Sequence, residues 1–230
     1  MIGNALRTDI EGWAARIDDN PAFQMVRAGR FGGQLLARYV SNLTYMLRLT
    51  PKHLRQGQER ARARGDEALV RHFEHKFEQE DGHHLWGEAD LTALHVEEEA
   101  PLPSILTLAE YLTRAIDDDP TSYLVYMAFA EYITVLVGPA FLSLIEEKNG
   151  VPRSSLTVID IHVERDRDHA EEGWGAIDDL VPDPRRLAFM RQTLGEIIER
   201  FDAFCVELAL SGAKDDESSP RLVGGVVSAA

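Results

Sequence analysis

His162, Asp166 and His169 stand at i, i+4 and i+7 within Asp160-Ile-His-Val-Glu-Arg-Asp-Arg-Asp-His169. On a helix that turns ~100° per residue, these offsets bring the three side chains within ~60° of one another. Two imidazoles and a carboxylate on one stripe make half of a metal site. A second feature is Glu131, the sole charged residue between Pro120 and Ile145. A helix that is apolar all round is buried, and a carboxylate buried without a partner costs several kcal/mol. A metal ion, a buried arginine, a hydrogen-bonded neutral form or exposure at a helix edge would each compensate it. The third feature is Phe77-Glu-Gln-Glu-Asp-Gly-His-His-Leu-Trp86, in which Glu80 precedes His83 by three residues and His84 by four. Either histidine can share a metal with Glu80, and the helical wheel sets His84 nearer the stripe of Phe73, Phe77 and Leu91.

As a set, these are three carboxylates and three imidazoles on three segments, the ligand types that hold a carboxylate-bridged pair of first-row metals. Imidazole with carboxylate suits Fe(II), Mn(II) or Zn(II). No cysteine falls in these segments, which argues against an iron–sulfur cluster or a thiolate zinc site.

Helices must carry these residues, and the apolar period is helical nearly throughout, without alternating runs bounded by hairpin turns. The chain reads as all-α. Helices are expected over 4–18, 33–47, 52–63, 66–94, 104–117, 121–147, 153–179 and 184–211. Pro51, Gly65-Asp66, Pro103-Ser104, the run Asp117 to Pro120, Asn149-Gly150 and Pro182-Asp183-Pro184 supply the stops and starts. A length of 230 residues with 44% hydrophobic content supports one sizeable core. The expected organisation is a single helical domain over 1–211 and a flexible tail over 212–230, rich in Ser, Gly and Asp.

A net charge of -15 repels a phosphate backbone over most of the surface, so nucleic acid is not an expected partner. Cys205 has no second cysteine to pair with, and the N-terminus lacks a basic segment followed by an apolar stretch. Glu131 and Gly138-Pro139 interrupt the longest apolar stretch, so no membrane span is expected. These features point to a reducing cytoplasm and a small-molecule partner, and leave a homodimer open.

Glu80-Asp-Gly-His83, then Glu131, then His162-Val-Glu-Arg-Asp166-Arg-Asp-His169 resemble, in type and order, the pattern of the haem-oxygenase-like diiron oxidases. That family of iron-containing redox enzymes is related in fold to thiaminase II and pyrroloquinoline quinone synthase. The likeness extends from about Tyr39 to Leu180 and takes in Gly82, Trp86 and Asp90-Leu91. It implies a haem-oxygenase-like bundle of about seven or eight helices. It also implies two Fe(II) ions that activate O2, with Mn as the alternative metal. The implied metal ligands are Glu80, His83 and His162 on one side and Asp166, His169 and Glu131 on the other. Glu131 is the implied bridge, and Glu131 and Asp166 stand nearest the chemistry. The likeness favours His83 over His84, against the wheel. Implied reactions are N-oxygenation, desaturation or oxidative carbon–carbon cleavage of amino acids or fatty acids. Some members add a carboxylate from an earlier helix, but no acidic residue lies between Asp19 and Glu59 here.

Neighbouring families fit less well. Haem oxygenase needs a proximal histidine on its first helix, and the first histidine here is His53. Thiaminase II uses a mid-chain cysteine, whereas Cys205 lies in the last expected helix and reads as a buried apolar residue. A ferritin-like protein would carry two Glu-x-x-His motifs. The rival function is a non-redox metal- or small-molecule-binding protein of the same fold.

Arg38, Asn42 and Tyr45, at i, i+4 and i+7, are candidates to hold a substrate carboxylate; the alternative is that Arg38 faces solvent or an acidic neighbour. His53, His72, His75 and His95 read as surface or structural residues, and Arg60, Arg62 and Arg64 as a solvated helix end.

Overall fold

The structure, a computed structural model, describes residues 1–218, with side chains to residue 212. Its helices are α1 (Ile2–Ala14), α2 (Pro21–Arg27), α3 (Gly33–Ala63), α4 (Glu67–Glu80), α5 (His84–Ala93), α6 (Pro103–Asp118), α7 (Ser122–Asn149), α8 (Thr157–Leu180) and α9 (Leu187–Ser218). Short 3-10 turns precede α2, α8 and α9, and no strand occurs among the described residues. The all-α expectation therefore holds.

Three elements depart from the sequence expectation, each for a physical reason. Pro51 does not end a helix: α3 runs through it to Ala63. Interrupting the helix there would free backbone groups, while Leu36, Val40 and Met46 before Pro51 and Leu54 and Ala61 after it are all buried. That burial, at ~1.5 to 3 kcal/mol per large side chain, outweighs the ~3 kcal/mol cost of an internal proline. Conversely, the single helix expected over 66–94 breaks at Asp81-Gly82-His83, where Gly82 has φ +91°. Only glycine adopts that conformation readily. The short α2 had no expected counterpart, although Asn20-Pro21 is a start signal: Oδ1 of Asn20 accepts the Ala22 and Phe23 amides. Of the tail expected over 212–230, residues to Ser218 continue α9, and the remainder lies outside the described residues.

α7 runs through the bundle. Its most extensive packing is with α8, and it also meets α1, α2, α6 and α9. By length and composition alone α7 could cross a bilayer, contrary to the sequence expectation. Its helix is continuous past Pro139, so Gly138-Pro139 does not shorten it. Its side chains instead serve the core, where Tyr123, Val125, Leu142 and Ile145 are buried. At Gly138 an added Cβ would stand 2.5 Å from Cγ2 of Val163, so a glycine there lets α8 come close.

Candidate metal centre

Four elements deliver the candidate ligands: the end of α4 (Glu80), the α4–α5 break (His83), mid-α7 (Glu131) and α8 (His162, Asp166, His169). The break gives the adjacent histidines different placements. With Gly82 left-handed, His83 turns inward beside Glu80, its Nδ1 3.0 Å from Oε2, while His84 opens α5. The wheel favoured His84 because it assumed an unbroken helix.

Asp90 sets the register between this break and α8. Its carboxylate, on α5 and 1% exposed, accepts the Thr157 and Val158 amides at 2.9 and 2.8 Å, capping α8 from a neighbouring helix. Those amides lie at the positive end of the α8 dipole. One turn later, His162 directs Nδ1 to the Val158 carbonyl. That bond makes Nδ1 the protonated nitrogen and leaves the Nε2 lone pair free. Trp86 covers this edge, stacked on His83 with centroids 4.2 Å apart and edge-on to His162 at 5.6 Å.

The ligand atoms form two clusters, each within 4.8 Å: Glu80, His83 and His162, and Glu80, Glu131 and His169. Glu80 belongs to both, whereas the family likeness gave the bridge to Glu131. Asp166 is in neither cluster, but its Oδ1 lies 3.7 Å from Nδ1 of His169. Glu80, His83, Glu131 and Asp166 are all buried.

Among the candidate ligand residues, five buried atoms have no hydrogen-bond partner: His83 Nδ1, His84 Nδ1, Glu131 Oε2, His162 Nε2 and His169 Nδ1. The His83–Glu80 approach is close but not aligned as a hydrogen bond. Unpartnered buried polar groups are rare because each forfeits its solvation. A cluster of them, all of metal-ligating type, fits a bound cation.

Protonation follows from burial. Desolvation raises Asp166 to about 9, helped by the charges of Glu131 and Glu80. Desolvation also raises Glu131 to about 7, with Lys76 pulling it back and Glu80 pushing it further up. For Glu80 burial also favours the neutral acid, but His83, His162 and His169 outweigh it and its pKa falls below the ordinary value. His162 and His169 are lowered, mainly by desolvation, and so favour the neutral form that binds metals.

Lys76 was not foreseen. Its side chain is 1% exposed, and its ammonium lies 3.2 Å from Oε1 of Glu131 and 3.4 Å from Oε2 of Glu172. A signal existed: Lys76 shares the buried face of Leu69, Phe73 and Glu80 on α4 at helical spacing. A lysine on that stripe must either emerge at an edge or pair inside.

Beside the clusters lies an apolar cavity of about 230 Å³, with Glu80, Glu131, His162 and Asp166 in its wall. Cys205 is also in the wall, its thiol pushed up to about 12 chiefly by burial, which leaves it un-nucleophilic. The trio Arg38, Asn42 and Tyr45 does not assemble as a carboxylate site. Arg38 donates to Glu99 at 2.7 Å, and the Asn42 amide is engaged by the Leu102 N–H and the Arg38 carbonyl. The bonds to Glu99 and Leu102 tie α3 to the segment after α5.

Among solved structures, the chain superposes on a domain of unknown function with a heme oxygenase-like fold from Shewanella denitrificans. Their TM-score is 0.74 with 18% identity, over 93% of each chain. The fold is haem oxygenase-like. A CADD-like protein of unknown function from Nostoc punctiforme shares it, with TM-score 0.74 and 14% identity over 91% of this chain and 98% of the other. So does a TenA homolog from Pseudomonas syringae, with TM-score 0.69 and 15% identity over 90% and 92%. No family model and no curated protein matches the sequence. At such identities the haem oxygenase-like likeness is one of fold.

Proposed function

We propose that this protein is a non-haem diiron oxidase or oxygenase that uses O2 to oxidise a small organic substrate. The observation that carries the reading is the convergence of unpartnered Glu131, His83, His162 and His169 atoms in two clusters that share Glu80. Two Fe(II) ions held there would supply reduction of O2 and oxidation of the substrate, by N-oxygenation, desaturation or carbon–carbon cleavage. Mn is the alternative metal.

In this reading Glu80, common to both clusters, would hold the metals together with His83, His162, Glu131, His169 and Asp166. The Val158 carbonyl fixes the His162 tautomer, so Nε2 reaches its position without a rotamer search. Asp166 holds a proton until a cation displaces it, and Glu131 takes one up as pH falls below about 7. The apolar wall keeps bulk water from the site. Anaerobic Fe(II) titration of the chain should give close to two irons bound, followed by O2 uptake on exposure to air. No iron bound at saturating Fe(II) would refute the proposal.

The Lys76–Glu131 pair favours a second reading, a non-redox small-molecule-binding protein of the same fold in which an ammonium serves as the buried cation. That protein would bind metal weakly and consume no O2.

A further inference from the structure

We propose that the surface groove between α1, α2 and α7 is the entrance to the cavity beside the candidate ligands. Ile17, Phe23 and Val137 form the partition between the two, which admits small uncharged molecules and turns back ions. The route does not depend on the metal reading above; that O2 is among the molecules it serves does.

The groove, of about 320 Å³, and the cavity share three wall residues, Ile17, Phe23 and Val137. The two spaces therefore lie back to back across these side chains. No residue of the cavity wall is exposed, whereas Glu11, Asp18, Arg27, Leu136 and Ala140 of the groove all are. A molecule reaches the cavity only where a wall moves. Val137 and Glu131 share α7, ~9 Å apart along its axis, so crossing the partition leads towards the ligand set.

Of the three side chains, Ile17 is the one best placed to move. It opens the three-residue 3-10 turn Ile17–Asp19, which packs chiefly on the seven-residue α2. Two surface bonds tie the turn to α2: the Arg27 guanidinium pairs with the Asp18 carboxylate, and the Gln24 amide donates to the Asp18 carbonyl at 3.4 Å. Exposed ion pairs contribute only ~0 to 1 kcal/mol, so such a turn opens locally without unfolding the bundle. Phe23 and Val137, by contrast, sit within helices.

The selectivity follows from the lining. The partition offers no hydrogen bond, and outside the ligand set no cavity wall residue carries a charge. An ion crossing it sheds water without replacement, at a cost of several kcal/mol. Small neutral molecules forfeit far less.

Cys205, the only cysteine of the chain, is buried in the cavity wall, so its reaction in folded protein reports entry. The test is its rate of modification in the metal-free full chain by methyl methanethiosulfonate, which leaves a methyl disulfide and releases methanesulfinate. The anionic 2-sulfonatoethyl analogue is run in parallel, and each rate is divided by that of the unfolded chain. In wild type the neutral reagent should react at a rate insensitive to urea below the unfolding transition, and outpace the anion about tenfold. Ala140→Trp and Ala15→Trp fill the groove from exposed positions outside the cavity and should each slow the neutral reagent about tenfold. Ile17→Ala should speed it about fivefold. Arg114→Trp, exposed on α6 away from the groove, should leave it unchanged, with melting of every variant checked alongside. Modification only through global unfolding, wild-type rates in both groove variants, or equal slowing in Arg114→Trp overturns the proposal. An Ile17→Ala rate equal to wild type overturns the partition, and equal rates for the two reagents overturn its selectivity. Failure of the chain to bind Fe(II) defeats the metal reading and the O2 role with it, while Cys205 modification still decides the route.

Discussion

The ammonium of Lys76 stands 3.2 Å from Oε1 of Glu131 in the protein interior, while Oε2 of the same carboxylate has no hydrogen-bond partner. One carboxylate thus joins a fixed internal cation to the candidate metal site. The ion pair and the metal ligand are two faces of one residue, and substitution must disturb both.

Glu131→Ala should therefore destabilise the metal-free protein, by less than the ~3 to 5 kcal/mol of a fully stranded buried charge, because it leaves the buried Lys76 ammonium with Glu172 as its remaining partner. It should also remove a metal ligand. Lys76→Met should cost less, since Glu131 can take up a proton. The double variant Lys76→Met, Glu131→Leu should melt near wild type, because removing both charges avoids stranding either, yet it should still bind less iron. Denaturant unfolding of wild type, Lys76→Met, Glu131→Leu and the double variant forms the cycle. Additive losses in the double variant would show that the two side chains do not interact.

His83→Ala and His84→Ala separate the neighbouring histidines. His83→Ala should lower iron stoichiometry by about one per chain, and His84→Ala should leave it unchanged. Gly82→Ala should act like a weak His83 variant, since a side chain at φ +91° is strained by ~1 to 2 kcal/mol and the break would shift. Iron counting by colorimetric chelation reads all three. A larger loss in His84→Ala than in His83→Ala would reverse the assignment.

Asp90→Ala removes the cap on α8. A stability loss of ~1 to 2 kcal/mol is expected from the two stranded amides. Metal affinity should also fall ~10- to 100-fold, because His162 lies one turn beyond the cap. Asp90→Asn keeps an acceptor and should recover part of both. If metal affinity holds while stability drops, Asp90 supports the helix without positioning the ligand.

Stability of the metal-free protein should fall as pH rises from about 6.5 to about 9. Asp166 and Glu131 have raised pKa values in the folded state, so between their ordinary values and about 7 and 9 the folded protein holds protons that the unfolded chain has released. Their contribution is full at acid pH and is lost as pH climbs through the folded values. His162 and His169 have the opposite sign: their lowered values destabilise the fold below about 6.5. Metal binding must expel the carboxyl protons, so apparent metal affinity should strengthen over the same interval. Asp166→Asn should flatten the melting profile, which scanning calorimetry across the pH series would record. A melting temperature that climbs with pH in wild-type protein would contradict burial as the cause of the raised values.

The helical class and the stripe on α8 were legible because both are local. A 3.6-residue period and offsets of i, i+4 and i+7 depend on one helix, and that helix forms over Thr157–Leu180. The lone charge of Glu131 was legible too, since any carboxylate within so apolar a run needs a compensating partner. Which partner was not legible: Lys76 lies 55 residues earlier and meets Glu131 only when α4 packs beside α7 and α8. The orientation of His83 turned on one backbone angle at Gly82, which glycine permits without requiring. Pro51, a local stop signal, yields to burial on both sides of it. Glu80 as the carboxylate common to both clusters, and the cavity it helps to line, arise from the packing of several helices at once. Residue types and spacings determine what chemistry a segment offers; distances between segments are set by the core, which no single segment contains.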